Sequence, residues 1–126
     1  MPVVAWVALG GAIGSAARYG VNVWSGRVLG AAFPWATLAV NIIGCFAMGL
    51  LIELMALKFN VSTETRGFLT TGILGGFTTF SAFSLDFALL VERKTYLLAC
   101  AYAAGSVLLS LAAVFAGLYL VRALAQ

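Results

Sequence analysis

No histidine occurs in this chain, and only four acidic residues do. Without imidazole or a cluster of carboxylates, a side-chain metal site or a histidine proton relay has little to be built from, so the chain is not expected to be an enzyme of those kinds. Cysteine is scarce as well. Cys45 and Cys100 stand alone in apolar surroundings, lack metal-ligand spacing and read as small packing residues. Charge is the largest deficit: 9% of the 126 residues are charged against 63% hydrophobic, more apolar surface than a soluble domain of this size needs, which points to an integral membrane protein. The net charge of +3 comes from a few side chains at the ends of apolar runs, so no nucleic-acid partner is expected.

What is present is a series of apolar stretches, each near the roughly 20 residues that a helical span requires. Four of them, at about 3–24, 35–57, 65–91 and 96–121, use up most of the chain and leave no room for a soluble domain. The amino-terminal run lacks the charged start of a signal peptide and continues past Gly20, so it is taken as the first span. The expected fold is therefore all-α, a single four-helix transmembrane domain.

Polar residues inside these spans fall on stripes. Gly10, Gly14 and Arg18 recur every fourth residue, stacking two small residues and a cation on one face of the first span. An arginine there either faces a wet cavity or a partner, or snorkels to the headgroups. In the second span Thr37 and Asn41 share a face with Cys45 and Gly49, and Asn41 needs a partner on a neighbouring helix or in a pore. Glu53, a turn from the end of that span, reads as interfacial. Ser62 is a candidate N-cap for the third span, with Glu64 in its first turn. The short turn from Glu92 to Thr95 sends the fourth span back antiparallel, and along it Tyr102, Ser106 and Ser110 form a hydroxyl stripe.

The third span carries the irregular sequence Gly72-Ile73-Leu74-Gly75-Gly76-Phe77-Thr78-Thr79-Phe80-Ser81-Ala82-Phe83. Glycines followed by paired threonines are poor helix material. In hydrocarbon an unwound turn survives only where protein or a wet cavity covers it, and there its carbonyls can hold a cation. Residues 72–83 are expected to break the helix near the bilayer midplane; the plainer alternative is a continuous helix whose glycines allow close packing. Phe80 and Phe83, three apart, share a face if helix resumes after Thr79. Asp86 one turn later is a charge that needs either a cavity mouth or a basic partner.

Leaving out Arg18 inside the first span, Lys and Arg divide evenly between the two sides: Lys58, Arg66 and Arg122 on one, Arg27, Arg93 and Lys94 on the other. Orientation follows an excess of these residues on the cytoplasmic side, and none exists, so insertion in both orientations is expected. Four helices are too few to shield these stripes from lipid, which makes an antiparallel two-fold homodimer the expected assembly.

Taken together, Gly10-Gly11-Ala12-Ile13-Gly14 with Arg18-Tyr19, Thr37-Leu38-Ala39-Val40-Asn41 with Gly44, Phe46 and Gly49, and the run from Gly72 to Phe83 resemble the Fluc or CrcB family of small bacterial fluoride channels. The resemblance implies a passive exporter of cytoplasmic fluoride in the bacterial inner membrane. It implies a dual-topology homodimer with two pores and a structural sodium ion, held by the backbone carbonyls of Gly75 and Thr78 from both chains. Asn41, Thr79, Ser81 and the hydroxyls of Tyr102, Ser106 and Ser110 would then lie along the fluoride path. Phe80 and Phe83 would line it edge-on, where the ring is positive, and Arg18 would sit at the vestibule base. Two rivals remain at this point. A small dual-topology multidrug transporter needs an acid in the first span, where this chain has Arg18, and a non-conducting assembly subunit would use its polar stripes only as packing glue.

Overall fold

The computed structural model describes residues 1–125 and is helical throughout, with no strand among the described residues. Five helices follow in order: α1 Val3–Leu29, α2 Trp35–Leu57, α3 at 63–77, α4 Ser81–Glu92 and α5 Tyr96–Ala125. Three stretches are long and apolar enough to cross a membrane, namely Trp35–Leu57, Thr63–Glu92, which joins α3 and α4, and Tyr96–Ala125. The α1 helix has the length, at 27 residues, but is less apolar because Ser15, Arg18, Asn22 and Ser25 interrupt it.

The α1 helix runs five residues past the expected end near Trp24. Ser25, Gly26 and Arg27 continue it, and the stop comes at Gly30, whose φ of 80° only glycine adopts readily. Arg27 in the last turn complements the negative end of the helix dipole. The start of α3 is as expected, since the Ser62 hydroxyl accepts the Thr65 N–H at 3.1 Å. Between α4 and α5, Lys94 turns the chain at φ 60°, and the Leu90 carbonyl accepts both the N–H and the hydroxyl of Thr95.

Packing is pairwise, α1 against α3 and α2 against α5, and both contacts are built on glycine. A Cβ at Gly10 would strike the Phe68 carbonyl, and one at Gly14 the Ile73 carbonyl. At the other seam Gly49 lies on the Val114 carbonyl and Gly117 on the Phe46 carbonyl. Backbones this close gain dispersion contacts and exclude lipid, which is what drives association between apolar helices in a bilayer.

The break in the third span is real but narrower than 72–83. Gly75 keeps helical angles, φ −63° and ψ −37°, and the chain leaves the helix only at Thr78, where ψ reaches 159°. Residues 78–80 are irregular and α4 begins at Ser81. Upstream, Gly67–Leu74 is wound as a π-helix, whose backbone hydrogen bonds reach one residue further along the chain than those of an α-helix. The glycines therefore serve close packing: Gly72 lies against Gly10 and Gly76 against Gly11. The threonines and Phe80 carry the break.

Candidate functional site

The opened turn is held together by two side chains from other helices. Asn41 on α2 grips the Thr79 peptide from both sides: its Nδ2 donates to the Thr79 carbonyl at 3.0 Å, and its Oδ1 accepts the Thr79 N–H at 2.8 Å. Arg18 on α1 donates from Nε to the Gly76 carbonyl at 3.0 Å. The Thr79 hydroxyl then caps α4 by accepting the Ala82 N–H at 3.1 Å. Each contact replaces a backbone bond lost where the helix ends, and the hydrocarbon offers no water to do so.

Carbonyls are left over at the break, those of Gly75 and Thr78 among them. Among the described residues no N–H, hydroxyl or side-chain donor reaches the oxygens of Gly75 or Thr78. Thr79 would have bonded Gly75 in a continuous helix, but its N–H goes to Asn41 instead. Gly75 is exposed on the surface of the chain. No group of three or more His, Cys, Asp or Glu side chains among the described residues could hold a metal ion, so main-chain oxygen is the cation donor on offer here. A small hard cation suits such neutral oxygens.

Beside the break lies a cavity of about 290 Å³ lined by Asn41, Thr78, Thr79, Phe80, Phe83 and, from α5, Ser106 and Ser110, with Cys45, Val107 and Leu111 closing it. The hydroxyls of Ser106 and Ser110 are buried and have no hydrogen-bond partner. Such groups are costly to leave unmet unless something visits them. Asn41 brings a further donor, because an amide carries two hydrogens and only one is committed to Thr79. Phe80 and Phe83 lie 5.5 Å apart, centroid to centroid, with planes tilted by 49°.

Two expected members stand elsewhere. Tyr102 is 1% exposed, and its hydroxyl donates to Asp86 Oδ2 at 3.1 Å instead of opening into the cavity. Its ring is wedged between Phe83 and Phe33, at 5.2 and 5.4 Å, so it acts as a wall behind the cavity. Ser81 is exposed and meets only Thr79, Oγ to Oγ1 at 3.3 Å. Asp86 accordingly has a hydroxyl partner and not a basic one, and it lines a second cavity of about 340 Å³ with Arg18, Asn22, Thr37 and Thr79. Thr79 thus lines both cavities, and Arg18 the second alone.

Sequence reasoning missed the Arg18 contact to Gly76, since nothing in a run of residues says which carbonyl an arginine will find. It also gave Glu53 no partner. That residue is buried and pairs with Arg122 at 3.2 Å, and the Arg122 guanidinium lies over the Tyr119 ring at 5.2 Å.

Comparison with known proteins agrees with the resemblance in the motifs. The profile of the family described as CrcB-like protein, Camphor Resistance (CrcB) matches residues 5–118. A protein of Rhizobium etli (strain CFN 42) named fluoride-specific ion channel FluC is 59% identical over 118 residues, 94% of each chain. The protein of the same name from Agrobacterium fabrum is 59% identical over 119 residues, covering 94% of this chain and 95% of its own. That of Rhodospirillum centenum is 53% identical over 122 residues, 97% of each.

Proposed function

This chain belongs to the CrcB family, and from that premise we propose that it is a fluoride-specific ion channel whose path runs through the cavity beside the helix break. It is a multi-pass bacterial membrane protein and not an enzyme. The observation that carries the path is the pair of buried, partnerless hydroxyls on Ser106 and Ser110 facing the amide of Asn41 across an otherwise apolar cavity.

Fluoride is small, strongly hydrated and a strong hydrogen-bond acceptor, so it crosses only where donors replace its water. The cavity supplies two hydroxyls and the spare Asn41 hydrogen, while the edges of Phe80 and Phe83 supply weaker positive charge. The side chains of Val107 and Leu111, also in its wall, offer no acceptor to compete. Arg18, already bonded to the break through Nε, keeps its remaining N–H groups for the neighbouring cavity, where they raise the local anion concentration. A larger halide meets the same donors in a narrower fit. Hydrogen fluoride enters the cell as a neutral acid and dissociates there, and the channel lets the anion out passively. In liposomes loaded with fluoride, the protein is expected to release fluoride and retain chloride, read with ion-selective electrodes; release of both at similar rates, or of neither, overturns the reading.

The assembly proposed is an antiparallel homodimer in which α1 also crosses the membrane, making four spans in each chain, with two pores and one structural sodium ion. Balanced Lys and Arg on the two sides support dual insertion. The partnerless carbonyls of exposed Gly75 and half-buried Thr78 support a site completed by a second copy. The sodium would neutralise four converging carbonyl dipoles and be bound without being carried. In rigorously sodium-free buffer, dimer stability on size exclusion and fluoride release are both expected to fall. Unchanged elution and unchanged release would remove sodium from the site while leaving the fluoride path untouched.

A further inference from the structure

We infer that the Glu53–Arg122 ion pair is a register lock: it positions α5 along α2 so that Ser106 and Ser110 stand opposite Asn41. The inference rests on the fluoride path proposed above. The two helices run parallel, as the contacts show in order: Asn41 and Cys45 share the cavity with Ser106 and Ser110, Gly49 meets Val114, and Glu53 meets Arg122. Glu53 is twelve residues beyond Asn41, and Arg122 is twelve beyond Ser110. An equal rise on both helices makes the pair a measure of the register at the cavity.

The glycine seam at Gly49 and Gly117 and this ion pair set that register together. Between apolar helices in lipid there is no hydrophobic force to prefer one alignment over another, so packing and polar contacts decide. The α5 helix is apolar on most of its surface, and glycines at Gly49 and Gly117 let the backbones approach without long side chains to interlock. Among the described residues, Glu53–Arg122 is the only salt bridge, and it is the one charged contact between α2 and α5. Glu53 is buried, so its carboxylate is poorly served without Arg122. A slip of one turn, about four residues or roughly 6 Å, would bring Val114 to the place of Ser110 in one direction and put Ser106 there in the other. The first removes a hydroxyl from the path; the second sends Tyr102 toward the cavity and away from Asp86. The pair thus acts on fluoride through the serines, touching neither the anion nor the break.

The experiment is a charge swap with flux and selectivity as readouts. Glu53→Arg and Arg122→Glu, each alone, place like charges together. Each is expected to lower fluoride release on the order of tenfold and to narrow the fluoride-to-chloride ratio, the scale one charge-assisted contact carries. The double variant E53R/R122E restores the attraction with the chemistry exchanged and is expected to recover both release and ratio. Glu53→Gln and Arg122→Gln serve in place of any single reversal that fails to elute with the parent. A merely structural pair would alter yield and leave the ratio of the purified protein unchanged, and that result overturns the inference, as does a double variant no better than the singles. A parent that releases no fluoride overturns the channel reading and the lock with it, whereas a conducting parent with equally conducting variants overturns the lock alone.

Discussion

Asn41→Ala is expected to abolish fluoride release and to weaken the fold. Its amide provides both hydrogen bonds of the Thr79 peptide, accepting at 2.8 Å and donating at 3.0 Å. Without it, an N–H and a carbonyl in the middle of the bundle have no partner, each at about 1–3 kcal/mol. The sum is on the order of a hundredfold or more in the population of the correctly opened turn. The path also loses the spare amide hydrogen. Asn41→Asp separates the two roles. A carboxylate still accepts the Thr79 N–H, so the break stays partly tied, but it has no hydrogen for the carbonyl and presents negative charge to an anion. The aspartate variant is therefore expected to assemble better than the alanine variant and to conduct no better. Thermal stability in detergent and fluoride release, measured on the same preparations, test this; an alanine variant with parental stability would show that Asn41 does not hold the break.

The logic of that residue was only half legible in the sequence. An asparagine inside an apolar run announces that it needs a partner, and its shared face with Thr37 and Cys45 gave its direction. The sequence left that partner open between a neighbouring helix and a pore, and the structure gives most of the amide to the backbone of the break on a neighbouring span. The break itself was legible through Thr78-Thr79, but its width was not. Gly72, Gly75 and Gly76 lower helix propensity wherever they stand, and a propensity argument cannot see that Gly10 and Gly11 of another helix need the missing side chains of Gly72 and Gly76. The π-helical winding of Gly67–Leu74 has no distinct composition and could not be read at all. Capping was the most legible feature, because Ser62 and the N–H it accepts lie within one turn. Long-range partners such as Glu53 with Arg122, or Tyr102 with Asp86, depend on how helices are set side by side. Local pattern does not carry that information.

Close packing of α1 on α3 has the sharper steric consequence. Gly14→Val is expected to prevent assembly, because a Cβ at that position would fall on the Ile73 carbonyl and within 2.8 Å of the Phe77 nitrogen. Backbone atoms cannot rotate aside as a side-chain tip can, so the whole of α1 must move out. Overpacking of an ordinary core costs typically 1–3 kcal/mol, and here the displacement also carries Arg18 away from the Gly76 carbonyl 3.0 Å from its Nε. The released carbonyl and the displaced guanidinium would then both lack partners beside the break. Gly20→Ala is the control, on the same helix with nothing within 4 Å of the added carbon, and is expected to match the parent in yield and in fluoride release. If Gly14→Val purifies like the control and conducts as well, α1 does not pack through its glycine face, and the support that Arg18 lends to the opened turn is not what holds it in place.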